Sequence, residues 1–475
     1  MALERDFITP AGATVLGAAN VVGNTTSTDM FSNTQRATVY PELMINFAKA
    51  EYLDPRVTFT RASAATYTDQ FGYIRTANTN VPRFNYANGV CEGLLIEEAR
   101  TNIFLNETTM YGGRRTAGTA TGPDGKSAYA ITLDRGFQAY NGFGGGGTQS
   151  ISLTAGQSVD IHFTGYFGPQ YGSQVQAADI VVAIDLNNTG TNVVYCEWGY
   201  LYNANTTVYR YVGTDCTELA ATIEPHPCGM NKLTWSIRYT QGATTRNNIG
   251  TGIQVRASNG IGEYIADGIS GIQYACCQVE IGNQPTTYIP TGGSTATRAA
   301  DVAYIIANKY TFNPRQGTIF IRAKSNKTNT PSQQAANDAA TLFNFLDSWN
   351  QTQSDELGLQ RYNADYSLNS FTFRQGLSFR SSSIPAASLA VSPNTFVGAA
   401  VSYYANNSFI LAANGVLGGV NSTYRQLGNQ TTPTETILNL GNHYAFTQRS
   451  LNGPIAKIAY YTSPLANSQI QNLTL

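Results

Sequence analysis

The charged side chains best placed for chemistry crowd into one stretch. Arg56, Arg61, Arg83 and Arg100 recur there among Asp54, Asp69, Glu92, Glu97 and Glu98, although only 12% of the chain is charged. One use for such a set is general acid catalysis of glycoside cleavage, which needs two carboxylates facing each other across a substrate cleft. The other is structural, with arginine forks gripping carboxylates and fixing the geometry between packed domains. Glu97 and Glu98 are neighbours, so on a strand they point to opposite faces. Arg56, Arg61, Arg83, Glu97, Glu98 and Arg100 are therefore read as a buried structural clasp.

Other reactive groups stand alone. Glu197 lies between Cys196 and Trp198, and Glu280 follows Val279, each without a second acid two residues away. The alternating Glu-x-Asp-x-x-Glu strand of a sandwich-fold glycanase does not occur. His162 sits in an alternating apolar run, His226 lies between two prolines, and His443 follows Gly441–Asn442. None has the neighbours of a general base. The six cysteines show no C-x-x-C spacing, and the adjacent Cys276 and Cys277 are poorly placed to bridge each other. They read as free thiols packed like small hydrophobes. No catalytic residue, metal site or cofactor is assigned, and enzyme activity is not expected.

Binding suits the remaining residues better. Sugars are held by aromatic rings against their C–H faces, with amides, carboxylates and guanidiniums reading the hydroxyls. Candidates are Trp198, with Tyr200, Tyr202, Asn203 and Asn205 nearby; Trp349 and Asn350 with Gln351; Arg361 and Tyr362 with Asn363; and Asn442, His443 and Tyr444. Loops of the C-terminal part are favoured, because they would lie far from the N-terminal arm.

The elements that must carry these residues are strands. With 45 Gly, 29 Tyr and 21 Phe, the composition suits many short strands joined by tight turns. A formal net charge of −1 argues against a broad electrostatic grip on nucleic acid or anionic lipid. No run approaches the roughly 18 apolar residues of a membrane-spanning helix. Glu4, Arg5 and Asp6 stand where a secretory signal would need its apolar core, so no such signal is expected.

Residues 1–40 lack the aromatic anchors of a core and are read as an attachment or oligomerisation arm. Strand signals follow at Leu43–Phe47, Val57–Thr60 and Gly93–Ile96. Alternating runs then cover Ser150–Val159, Ile161–Gly165, Ile180–Leu186 and Lys232–Tyr239, as in a sandwich. Phe143–Gly147 reads as a flexible connector, since no helix follows to make a phosphate cradle. A second sandwich is expected from Thr318–Ala323 onward, with strands at Leu357–Leu359, Ser370–Phe373, Phe396–Tyr403 and Phe409–Ala412. Asn414–Gly415 reads as a hairpin turn. A short terminal helix is expected, capped by Ser463, with Leu465, Ile470 and Leu473 as its apolar stripe.

Two blocks carry a resemblance. The first runs from Leu53 to Ser63 (LDPRVTFTRAS) through NVPRF at 80–84 to GLLIEEARTN at 93–102. The second covers Gln278 to Asp301, with PTTYIP at 285–290 and TRAAD at 297–301. Together with LNGPIAKIAYY at 451–461, they resemble bacteriophage tail fibre and virion appendage proteins. That resemblance implies an all-β chain of two antiparallel sandwiches. A carbohydrate-binding-module-like jelly roll (108–296) would precede a concanavalin A-like, laminin-G-like domain (297–475), with 41–107 as a bracing segment.

The function so implied is host attachment by a fibre subunit that binds cell-surface polysaccharide. Such subunits are usually homotrimers, joined to other virion proteins here through residues 1–40, made in the host cytoplasm and carried on the particle. A virion depolymerase and a purely architectural capsid or collar projection are the alternatives.

Overall fold

The computed structural model describes residues 39–106, 113–136, 143–144, 147–174, 176–184, 193–257, 265–325, 339–346, 356–362, 368–373, 380–389, 395–406, 408–419, 437–442 and 450–475. They are 56% strand and 6% helix, which makes the fold all-β. Among them no helix is long and apolar enough to cross a membrane. The arm at 1–40 lies almost wholly outside the described residues.

Four large antiparallel sheets form two sandwiches. In the first, Gly453–Tyr461 is a central strand. On one side it pairs with Gly317–Lys324, beyond which come Phe396–Tyr403, Phe409–Ala413 and Val416–Leu417. On its other side it pairs with both Leu43–Asn46 and Val90–Ile96. The facing sheet runs Val57–Thr60, Val302–Ile306, Ile437–Leu440, Ala339–Leu346, Glu356–Tyr362, Leu368–Phe373, Arg380–Ile384. Leu43, Phe59, Ile96, Ile321, Phe345 and Tyr460 share the core between them.

The second sandwich is an insertion in the first. One sheet is ordered Cys216–Pro225, Asn231–Thr240, Ser158–Tyr171, Gly271–Ile281, Ser127–Leu133, Gly113–Thr121. The other is built on Asn248–Ala257, Gln176–Ile184, Val194–Leu201 and Thr206–Val212. Phe143–Gly144 and Thr148–Ser150 add short edges to Asn248–Ala257. Trp198, Trp235, Phe163, Phe167, Ile180 and Ile253 fill the space between the sheets.

The chain leaves the outer sandwich after Ile96 and re-enters it near Ala296. Its two crossings run side by side, with Arg100–Asn102 antiparallel to Ala296–Arg298. Asn102 pins them further, donating to the carbonyls of Cys277 (3.2 Å) and Ile289 (2.8 Å).

The segment 41–107 is thus more than a brace. Leu43 and Ile45, and Val57 and Phe59, alternate with more exposed residues, and their apolar side chains are buried within the outer core. The bracing part is the hairpin Ala65–Thr68/Ile74–Ala77. Ile74 donates its N–H to the Pro123 carbonyl at 2.8 Å, and the Tyr73 and His226 rings meet edge-on at 6.2 Å.

Local chemistry shapes the turns. Asn414 and Gly415 take φ of 43° and 77°, the paired left-handed geometry of a tight hairpin. The terminal helix is Asn467–Thr474, and its cap is Ala466 rather than Ser463. The Gln469 side chain accepts from the Ala466 N–H at 2.8 Å, the reach-back half of a capping box, while the Ala466 carbonyl accepts from the Gln469 N–H at 2.9 Å. Leu465 and Ile470 are buried beside Phe320 and Tyr461, with Leu473 packed against them.

Gly93 is a tight point of the outer sandwich. It takes φ of +117°, and a Cβ there would lie 2.1 Å from the Ile455 carbonyl oxygen. Gly93→Ala is expected to lower stability by about 1–3 kcal/mol from backbone strain, with the clash added. Gly125→Ala (φ +77°, open space around it) should show the smaller backbone cost alone. Urea midpoints for the two variants check this, and equal midpoints would refute it.

Candidate functional site

Where the two sandwiches meet, a charge network is sealed from water. Asp301 binds Arg61 through Oδ1 at 3.1 Å and Arg83 through Oδ2, and that oxygen also accepts from the Glu97 N–H at 2.9 Å. Glu97 Oε2 meets Arg83 at 2.7 Å and Arg298 at 2.8 Å. Thr287 donates to the same carboxylate from its N–H (2.8 Å) and its hydroxyl (2.7 Å). Burial opposes the charge on Glu97, but Arg298, Arg83 and Thr287 outweigh it and bring the carboxyl down to about 2.

A second knot adjoins the first. Glu98 pairs with Arg100, whose Nε is 3.8 Å from Glu280. Gly282 leaves room for that guanidinium, since a Cβ there would come within 1.9 Å of it. Glu280 is wholly buried and accepts from Thr286 N–H, Thr286 Oγ1 and Gln278 Nε2, each at 2.7 Å. Arg61, Arg83, Arg100 and Arg298 therefore balance Glu97, Glu98, Glu280 and Asp301. A charge set so enclosed can hold geometry.

Arg61, Arg83, Glu97, Glu98 and Arg100 come together here. Arg56 does not, because its fork closes on Asp54 two residues away, at 2.8 Å for both bonds, in a half-exposed turn. Arg298, Asp301 and Thr287 complete the network and were not anticipated as members. Arg298 and Asp301 do fall in TRAAD, one of the few charged motifs after residue 290.

The binding candidates fare differently. Trp198 is fully buried, edged against Trp235 at 6.1 Å, with its Nε1–H on Thr207 Oγ1 at 2.9 Å, so neither face is open to a sugar. Tyr200 and Asn205 are held with Asn231 in a local hydrogen-bond set, and the Tyr202 hydroxyl donates to the Gly229 carbonyl at 2.6 Å. Asn442 donates to the Asp301 carbonyl at 2.7 Å and belongs to the junction rather than to a binding loop. Arg361 and Tyr362 end the strand Glu356–Tyr362, in register with Ala340 and Ala339. Trp349, Asn350, His443 and Tyr444 lie outside the described residues.

A surface better suited to sugar appears on the inserted sandwich. In Val194–Leu201, Cys196, Trp198 and Tyr200 point into the core, so Tyr195 and Glu197 point out. Glu197 stands opposite Tyr211 and Gly199 opposite Tyr209. The Tyr209 ring lies across Gly199, where a Cβ would fall 2.2 Å from it. Asp179 and Val181 continue the same rows on the next strand, followed by Gln254 and Gly252.

One sheet face thus carries three tyrosines, two carboxylates and an amide above a glycine floor. Tyr195 and Tyr211 are 41% and 52% exposed, whereas Asp179 is fully buried in the middle of the face. Alternation around Trp198 was legible in the sequence. The face was missed because the tryptophan, the larger ring, drew attention to the wrong side of its strand.

The two described histidines are structural. His162 Nε2–H donates to the Gly282 carbonyl (2.8 Å) while Nδ1 accepts from Ser236 (2.7 Å), since a carbonyl can only accept. Burial pushes it down to about 3 and keeps it neutral. His226 spans Gly72 and Cys228. Among the described residues no three His, Cys, Asp or Glu side chains converge as a metal site.

No family model and no curated protein matches this sequence. Among solved structures the chain is distantly similar to the Ruminococcus gnavus IT-sialidase CBM40, at 17% identity and a TM-score of 0.27, covering 34% of this chain and 84% of that one. The same module bound to alpha2,3 sialyllactose gives 18% and 0.26 over 34% and 84%. Bound to alpha2,6 sialyllactose it gives 17% and 0.27 over 34% and 85%.

Proposed function

We propose that the chain is a glycan-binding attachment subunit of a bacteriophage virion appendage, without catalytic activity. The observation that carries the binding part is the outer face holding Tyr195, Tyr209 and Tyr211 beside Glu197 and Gln254. Tyrosine rings offer C–H stacking, and the carboxylate and amide offer acceptors and donors to hydroxyls. The phage setting rests on the resemblance of the two motif blocks. In this reading residues 1–40 join three copies to one another and to the particle, so that weak sites add up by multivalency.

Binding of the full-length protein to immobilised host surface polysaccharide tests it. Tyr211→Ala and Tyr195→Ala are each expected to weaken single-site binding about tenfold, or about 1.4 kcal/mol. Wild-type binding by both variants would overturn the assignment of this face.

A further inference from the structure

Two cysteines of the inserted sandwich come from different sheets yet meet. Cys196 lies in Val194–Leu201 of one sheet, and Cys216 opens Cys216–Pro225 of the other. The chain passes from sheet to sheet between them. Val212 stands opposite Cys196, and the turn that follows is closed by the Cys216 N–H on the Gly213 carbonyl at 3.2 Å.

Gly213 permits the approach, because a Cβ there would come within 2.4 Å of Val194 and 2.6 Å of the Tyr195 carbonyl oxygen. Both cysteines pack in the same apolar core, and their thiols share a hydrogen bond. Cys196 is wholly buried and Cys216 is half-buried.

The other cysteines are placed differently. Cys276 and Cys277 point into separate clusters on opposite faces of their strand. Cys228 faces the His226 ring at 3.0 Å, and Cys91 belongs to the outer sandwich.

We infer that Cys196 and Cys216 form an intrachain disulfide when the protein meets a disulfide oxidant such as oxidised glutathione, stapling the two sheets of the inserted sandwich. Cys216, the accessible sulfur, attacks as thiolate and forms a mixed disulfide, releasing one glutathione thiolate. Cys196 then loses its proton and displaces the second glutathione. Two cysteine thiols are oxidised, and one glutathione disulfide is reduced to two thiols. The hydrogen bond to Cys196 and burial hold the Cys216 thiol above its ordinary value, so the first attack is the slow step.

The test is a thiol count on the full-length protein after incubation with oxidised glutathione, with alkylation under denaturing conditions and peptide mapping. Wild type should fall from six alkylatable thiols to four, lose two hydrogens in mass, show a Cys196–Cys216 link and melt several degrees higher. Cys228→Ser should form the same link. Cys216→Ser should form none, and Cys196→Ala should keep one glutathione on Cys216 because nothing displaces it. Six thiols retained by wild type, or a link mapped to Cys228 and Cys276 instead, would overturn the inference. The wild-type map decides even where a variant fails to fold.

Discussion

Asp301→Ala is expected to destabilise the protein by about 3–5 kcal/mol, the usual cost of stripping one partner from a buried ion pair. The argument is one of desolvation. Arg61 and Arg83 are both fully buried, and each loses its ion-pair partner on Asp301. The Glu97 N–H loses its acceptor as well. Arg83 retains Glu97, but Arg298 shares that carboxylate, so three guanidiniums would be left around a single acid.

Asp54→Ala provides the control. Its partner Arg56 is 31% exposed and can turn to water, so the loss should be about 0–1 kcal/mol. Urea denaturation of both variants checks the contrast, and similar losses would mean that the junction network contributes no more than a surface pair. Two separate transitions in the Asp301 variant are expected as well, because this network ties the sandwiches together.

The second large effect is acid lability from His162. Its folded value of about 3 lies below the ordinary 6.5, because burial disfavours the imidazolium and nearby Arg100 and Arg238 add to that. The unfolded chain therefore binds a proton that the folded chain refuses. Stability from this group is complete above pH 6.5 and is lost as pH falls toward 3. Integrated, the loss is about 2 kcal/mol by pH 5 and about 4 kcal/mol by pH 3.

Glu97 adds a later loss of the same sign, from its ordinary 4.5 down to about 2. Glutamine at 162 keeps a donor and an acceptor but carries no charge at any pH. His162→Gln should therefore flatten the stability curve between pH 6.5 and 4.5, whatever it costs at neutral pH. An unchanged slope would assign the acid sensitivity to other groups.

The sequence made the strands legible where one face is buried and the other wet. Val57–Thr60 has the expected limits because Val57 and Phe59 alternate with the more exposed Thr58 and Thr60. Phe396–Tyr403, by contrast, is legible as a near-continuous apolar run, buried on both faces from Ala399 on. It did not show which sheet Leu43–Asn46 joins. That pairing spans some four hundred residues and leaves no local periodic trace.

The network was half legible for a related reason. Arginines and acids clustered between 54 and 100 are conspicuous in a charge-poor chain, whereas Asp301 and Arg298 come from the return crossing and are near only in space. Trp198 misled because ring size says nothing about which side of a strand faces water.

The nested chain path has a consequence for synthesis. The inserted sandwich draws its sheets from residues 113–281, so its strands can close as soon as that stretch has left the ribosome. The outer sandwich cannot follow. Leu43–Asn46 and Val90–Ile96 must wait for Gly453–Tyr461, the strand that both of them pair with and the last to be made. Contacts this distant in sequence form slowly, because the loop between them must be closed first. Having the insert already folded shortens that loop to the width of two adjacent strands, Arg100–Asn102 and Ala296–Arg298. The newborn chain thus carries its own scaffold, which holds the early strands in place for the partner still to come.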